Sequence, residues 1–186
     1  MKDAKLGELM AALPDKAALQ GIRAYILHEG LKGDLAAAAK VFDELWQCAG
    51  HEEVKAELTE FLVARYAYRR DLVTARKFYA RFASLADTGA TLQAQAAAVH
   101  ILAYMVMEVN LEKAIQLWRE YVQLPIPAQF KRVSAPTGLA ALRRALKNSD
   151  VRNADQVFFV LHALAQETGD ENVAIRAKEI LEKEAL

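Results

Sequence analysis

The chain has 186 residues, of which 54% are apolar and 26% charged, a composition typical of one globular domain or a short repeat array. Its 24 basic and 24 acidic residues balance, so no net charge draws the whole molecule towards nucleic acid or an anionic membrane. The single cysteine, Cys48, excludes an internal disulfide, and the N-terminal sequence MKDAKLGELM lacks the apolar core of a signal peptide. No apolar run approaches the roughly 18 residues that span a bilayer. We therefore expect a cytoplasmic protein without membrane contact.

The predicted elements are all helical, and most of them pair into hairpins. A short helix over the first dozen residues comes first. Four hairpins follow at about 16–48, 52–87, 91–124 and 136–168, and an amphipathic capping helix occupies 171–186. Turn signals separate the hairpins: Cys48-Ala49-Gly50, Asp87-Thr88-Gly89, and Leu124-Pro125-Ile126-Pro127, whose two prolines predict a rigid extended link. We interpret residues 1–186 as a single domain.

A twelve-residue phrase recurs in the second helix of each predicted hairpin. It reads DLAAAAKVFDEL from Asp34, DLVTARKFYARF from Asp71, NLEKAIQLWREY from Asn110 and DVRNADQVFFVL from Asp150. Each phrase opens on a good helix N-cap residue and places an alanine four residues later and an aromatic eight residues later. These offsets share one stripe of an α-helix, where a small alanine lets a neighbouring helix approach closely. The phrases begin 37, 39 and 40 residues apart, which favours a helical solenoid over a non-repetitive bundle.

The pattern Gly33-Asp34-Leu35-x-x-Ala38-x-x-x-Phe42 resembles the second helix of a tetratricopeptide repeat. The resemblance covers most of the chain. It implies an all-α fold, an α-solenoid of about four antiparallel hairpins in a right-handed superhelix with terminal capping helices. The family period is 34 residues, so longer helices or loops are expected here. Pentatricopeptide and half-a-tetratricopeptide repeats, which are tied to RNA processing, share this second-helix pattern, so the resemblance leaves peptide binding and single-stranded RNA binding both open.

Residue types that catalyse reactions or bind metals show no suitable arrangement in the sequence. The histidines lie far apart and lack the i, i+4 spacing of a helical zinc site: His28, His51, His100 and His162. The eight glycines are scattered and form no phosphate-binding loop. Cys48 has no CxxC partner and fits a small buried apolar residue. We therefore expect a non-enzymatic protein with no catalytic residue, no metal and no cofactor.

Charge is unevenly distributed along the chain despite its zero total. Residues 61–86 and residues 131–149 each carry a net charge of +5, whereas residues 1–60 and residues 150–186 each carry −4. In one interpretation the acidic and basic repeats neutralise each other or solvate the outer face. In the other, the basic regions line a groove for an acidic peptide or a phosphate backbone.

In tetratricopeptide-like arrays the first helices line the concave face that holds the ligand. Transferring this by alignment on the four alanines gives a groove of apolar, aromatic and cationic character, formed by Arg23, Leu27, Glu60, Ala64, Tyr68, Val99, Ala103, Leu139, Arg143 and Lys147. Such a groove suits a peptide with an apolar anchor and an acidic neighbour. RNA needs a near-continuous cationic track, which residues 87–130 interrupt with a net charge of −2. The sequence therefore favours a protein-interaction module, such as an adaptor, scaffold or chaperone-like protein, over an RNA binder.

Overall fold

The computed structural model describes residues 2–13 and 15–184, with side chains from residue 6 onward, and every regular element among them is helical. These residues form eleven α-helices and one 3₁₀ segment: α1 (Lys2–Ala11), α2 (Lys16–Lys32), α3 (Leu35–Gln47), α4 (Glu52–Tyr68), α5 (Leu72–Tyr79), the 3₁₀ segment (Ala80–Ser84), α6 (Gly89–Val106), α7 (Leu111–Gln123), α8 (Ala128–Arg132), α9 (Ala135–Lys147), α10 (Val151–Thr168) and α11 (Glu171–Glu184). The all-α prediction is confirmed for this part of the chain. None of its helices is long and apolar enough to cross a membrane.

The helices can be compared directly with the predicted hairpin spans. The pair α2 and α3 lies within 16–48, and the pair α4 and α5 lies within 52–87. Helix α6 begins at Gly89, ahead of the predicted 91, and α9 begins at Ala135, ahead of the predicted 136. Helix α11 occupies the capping span up to Glu184, and residues 185–186 of that prediction lie outside the described residues.

Contacts divide the chain into two compact units, Met1–Gln95 and Ala96–Leu186, with the division falling inside α6. In the first unit α2 packs against α1, α3 and α4, and α4 packs against α3 and α5. In the second unit α9 packs against α7, α10 and α11, and α10 also packs against α8. Within each unit a helix therefore contacts the next helix and often the one after it, as stacked hairpins do.

Side-chain N-caps begin the second helix of each hairpin, as the repeated phrase predicts. In each case a side-chain oxygen accepts a backbone N–H three residues on, at 2.9–3.2 Å, joining Asp34 to Ala37, Asp71 to Thr74, Asn110 to Lys113 and Asp150 to Asn153. A cap of this kind stabilises a helix by about 1 kcal/mol because the amide otherwise has no partner inside the helix. The four second helices thus start by the same local mechanism.

The alanine stripe of the repeated phrase lies in the core. All four alanines at offset four are at most 2% exposed: Ala38, Ala75, Ala114 and Ala154. The aromatic residues at offset eight differ more, since Phe42 and Trp118 are fully buried whereas Tyr79 and Phe158 are half-buried. The alanine stripe therefore fixes which side of each second helix packs inward, whereas the burial of the aromatic residue differs from one second helix to the next.

Trp118 is the centre of the packing between α7, α9 and α10. A Cβ atom added to Gly138 of α9 would lie 2.3 Å from Trp118 Cζ2 and 2.8 Å from Leu161 Cδ2, far inside van der Waals contact. The Trp118 indole Nε1 donates to the Ser134 carbonyl oxygen at 3.1 Å. A side chain at position 138 would therefore push against a ring that is buried and hydrogen-bonded.

The junction between α7 and α9 is more elaborate than the extended link that its prolines predict. Residues 124–127 are non-helical, and Pro127 has an extended ψ of 141°. The short helix α8 then follows, which the sequence pattern did not indicate. The buried Lys131 of α8 pairs with Glu167 of α10 at 2.7 Å, and this ion pair holds α8 against α10.

Candidate functional site

The ten predicted groove residues lie on α2, α4, α6 and α9, the first helices of the four predicted hairpins. Eight of them reach solvent, but Val99 and Ala103 of α6 have no exposed surface. A partner could not touch these two side chains, because they form part of the core. Helix α6 is apolar around most of its circumference, so alignment alone could not distinguish its inner face from its outer face.

In the first unit, Arg23 of α2 is engaged in an ion pair between helices. Its Nε atom donates to Glu57 Oε2 of α4 at 2.7 Å, and both side chains are about one-third to one-half exposed. Of the other four predicted residues of this unit, Tyr68 is exposed and three are half-buried, namely Leu27, Glu60 and Ala64. Arg23 therefore joins α2 to α4 instead of offering an unpaired positive charge to an acidic peptide.

An acidic cleft adjoins this ion pair, between α4 and the beginning of α6. It encloses about 400 Å³ and is lined by Glu53, Val54, Glu57, Glu60, Ala90, Gln93 and Ala94. Partial burial raises the pKa of Glu60 above its ordinary value, and the negative charge of Glu57 raises it further. The first unit thus presents carboxylates at the place where the sequence predicted a surface for an acidic partner.

A second cleft lies between α9 and α11 in the second unit and includes the predicted residues Leu139 and Arg143. It encloses about 360 Å³ and combines apolar side chains with charged ones, namely Pro136, Leu139, Ala140, Arg143, Arg176, Glu179, Ile180, Lys183 and Glu184. Leu139 and Arg143 are four residues apart and therefore lie on the same face of α9. Lys147, one turn further, is exposed but does not line this cleft.

The charges of the α9–α11 cleft are only partly paired. Arg143 Nε lies 3.8 Å from Glu184 Oε1, which is a loose ion pair, and 60% of the Arg143 side chain is exposed. Arg176 and Lys183 form no ion pair with any residue that the structure describes. Glu184 Oε2 is buried and accepts no hydrogen bond from the described residues. The cleft therefore offers the exposed cations Arg176 and Lys183 to an anionic group.

Sequence reasoning did not identify the α11 half of this cleft. The sequence predicts only an amphipathic capping helix there, with Arg176, Glu179 and Lys183 on its polar face. The sequence did contain a signal for this half of the cleft. Ile180 continues the apolar stripe of Val173 and Ala177, and the charged Glu179 and Lys183 lie beside it. The partner helix of α11 could not be deduced from that spacing, since the pairing with α9 depends on tertiary packing.

The remaining residue types of chemical interest are dispersed. Among the described residues, no group of three or more His, Cys, Asp and Glu side chains could hold a metal ion. Cys48 is half-buried at the end of α3. His100 Nε2 lies 2.9 Å from Thr137 Oγ1 and its ring packs on Tyr121, and burial lowers the pKa of this histidine.

Comparisons of the chain with models of protein families, with curated proteins and with solved structures gave no match.

Proposed function

We propose that this chain is a tetratricopeptide-like helical repeat protein that acts as a non-enzymatic interaction module and binds a peptide segment of a protein partner. The α9–α11 cleft is its binding site. The observation that carries the proposal is the composition of that cleft, in which two cations without an ion-pair partner among the described residues, Arg176 and Lys183, adjoin an apolar wall. The repeated N-caps and buried alanines, and the packing of successive helices within each unit, support the repeat architecture and its superhelix.

The cleft suits a short peptide with an apolar side chain next to an acidic one. Leu139, Pro136 and Ala140 provide the apolar contact, and apolar burial supplies most of the affinity in such sites. Arg176 and Lys183 offer charge-assisted hydrogen bonds to the acidic group. The exposed carboxylate of Glu179 can accept a backbone N–H of the peptide, a donor that a nucleic-acid phosphate lacks. The described residues that line the cleft include no aromatic ring on which a base could stack, so they favour peptide over RNA.

Selection from a random peptide display library on the immobilised chain tests this function. We expect the enriched peptides to place Leu, Ile, Val or Phe within a few residues of Asp or Glu. The best peptide, labelled with a fluorophore, is then titrated against the protein and against Arg143→Glu/Lys183→Glu. Reversal of two charges beside the peptide is expected to weaken binding by about tenfold or more, equal to about 1.4 kcal/mol or more.

The matched control is Arg152→Glu/Lys178→Glu, which makes the same change in total charge at exposed positions outside the cleft. Both variants are expected to melt cooperatively, since exposed charges contribute little to stability. Equal weakening by both variants would show that total charge, and not the cleft, attracts the peptide. If instead single-stranded RNA outcompetes every selected peptide, the RNA-binding alternative replaces this proposal.

A further inference from the structure

The turn between α4 and α5 in the first unit exposes apolar side chains close together. Tyr68 ends α4 and Val73 lies in the first turn of α5, with exposed fractions of 61% and 68%. Leu31, near the end of α2, is 64% exposed. Grouped apolar side chains at the surface are characteristic of interaction sites, because their contact with water is unfavourable and a partner removes it.

Contacts between the two turns place Leu31 on the same edge as the α4–α5 turn. Arg65 Nη2 of α4 lies 3.4 Å from the Leu31 carbonyl oxygen. The Tyr66 hydroxyl donates to the Leu35 carbonyl oxygen at 3.1 Å. The turn after α2 therefore lies beside the C-terminal end of α4, which brings these exposed side chains to the same edge of the unit.

Cations adjoin the exposed apolar side chains. Two follow Tyr68 directly in the turn, and two lie three and four residues after Val73, where helical spacing places them on the same face of α5: Arg69, Arg70, Arg76 and Lys77. Arg69 and Arg76 form no ion pair with any described residue. Asp71 is the one acid between residues 61 and 86, and its carboxylate caps α5. We call Leu31, Tyr68, Val73 and these four cations the α4–α5 edge.

The backbone of Arg70 has a φ of 65°, in the left-handed region. The residues directly before the N-caps of α3 and α10 share this conformation, since Gly33 has a φ of 99° and Ser149 a φ of 54°. Glycine adopts this conformation without steric conflict, whereas a residue with a Cβ is strained there by about 1 kcal/mol. The left-handed turn is therefore part of the repeated connection, and before α5 a cation occupies it.

We propose that the α4–α5 edge binds the surface of an anionic lipid bilayer. The cations attract anionic headgroups, and the two aliphatic side chains insert below them while the tyrosine ring lies at the level of the headgroups. The whole chain has no net charge that would attract it to an anionic membrane, but the α4–α5 edge concentrates four cations in one place. A nucleic acid would use the same cations and the tyrosine, but it would gain nothing from two exposed aliphatic side chains.

Vesicle co-sedimentation with the full chain tests the proposal. The probes are vesicles of phosphatidylcholine alone and vesicles in which about a third of the lipid is phosphatidylserine, a composition that gives a negative surface potential. We expect binding to the anionic vesicles only, weakening as salt is raised because the charges are screened. Arg76→Gln/Lys77→Gln is expected to lower the partition coefficient by roughly 25-fold, since each cation near an anionic surface contributes about fivefold.

A second variant separates lipid from other anions. Leu31→Ser/Val73→Ser removes the aliphatic side chains without changing charge, and it is expected to lower vesicle binding by about tenfold, as loss of partial apolar burial predicts. Its control is Val109→Ser/Val151→Ser, at equally exposed positions of the second unit. The control for charge is Arg152→Gln/Lys178→Gln. Both controls are expected to bind vesicles as the unaltered chain does.

A direct readout of insertion does not depend on comparing variants. In a Cys48→Ser background, an environment-sensitive dye on Val73→Cys is expected to shift to the blue when anionic vesicles are added, and a dye on Val151→Cys is not. The proposal is overturned if anionic vesicles bind no better than neutral ones, or if the two dyes respond alike. It is also overturned if the aliphatic variant keeps full vesicle binding.

Discussion

Replacing Gly138 with alanine sets helix propensity against packing, and the two effects have opposite signs. Alanine in a helix interior is favoured over glycine by about 0.5–1 kcal/mol. The new Cβ would, however, stand 2.3 Å from Trp118 Cζ2 and 2.7 Å from Cη2. The ring has no exposed surface into which it could move, and displacement would also break its hydrogen bond to Ser134.

Overpacking a core of this kind typically costs about 1–3 kcal/mol, and here it also threatens a buried hydrogen bond. After subtraction of the propensity gain, we expect Gly138→Ala to lower the free energy of unfolding by about 1–2 kcal/mol. Urea unfolding followed by tryptophan fluorescence measures this difference as a lower midpoint.

Gly7→Ala is the matched control, because nothing lies within 4 Å of the position that its Cβ would occupy in α1. This variant is expected to be neutral or slightly stabilising, since only helix propensity changes. The reasoning about Trp118 would be refuted if Gly138→Ala were as stable as the unaltered chain. An equal loss in both glycine variants would also contradict it.

Three further predictions concern stability. Ala114→Leu is expected to lower the free energy of unfolding by about 1–3 kcal/mol, because the alanine is 1% exposed and a larger side chain would overpack the core. An unchanged thermal midpoint would count against the alignment of the four phrases on their alanines. Burial lowers the pKa of His100, so the unfolded chain binds a proton at this histidine more readily than the folded chain does. Stability is therefore expected to fall as the pH drops below about 6.5. Urea midpoints between neutral and mildly acidic pH measure this fall, and His100→Gln should remove the part of it that His100 causes. Arg70→Gly is expected to be more stable than Arg70→Ala by about 1 kcal/mol, since only glycine relieves the positive φ; equal melting of the two variants would show that the turn relaxes.

The helices and their caps could be predicted because their signals are local. An N-cap such as Asn110 or Asp150 acts on an amide three residues away, and the apolar stripe that follows repeats with the period of the helix itself. Both signals can be read from a window of about fifteen residues. Every second helix therefore starts where the sequence indicates.

The elements that depend on distant contacts could not be predicted in the same way. Helix α8 is too short to show a period, and it is held by the pairing of Lys131 with a residue of α10 that is 36 positions away. Arg23 was assigned to a groove, and its pairing with Glu57 across 34 positions was not visible in either helix alone. The α9–α11 cleft lies between two helices whose proximity no local sequence pattern predicts.

The charge of a sequence segment is a poor guide to the charge of a surface, and α4 shows why. Its residues Glu53, Glu57 and Glu60 follow helical spacing and line one cleft, while Arg65 lies near its C-terminal end. Glu53 in the first turn of α4 and Arg65 in its last turn also complement the helix dipole, so this part of the separation stabilises the helix whatever the partner. A net charge summed over consecutive residues adds together side chains that lie on different surfaces. The acidic cleft, the α9–α11 cleft and the α4–α5 edge therefore need separate charge variants, because reversing the net charge of the segment 61–86 would change the edge and leave the acidic cleft intact.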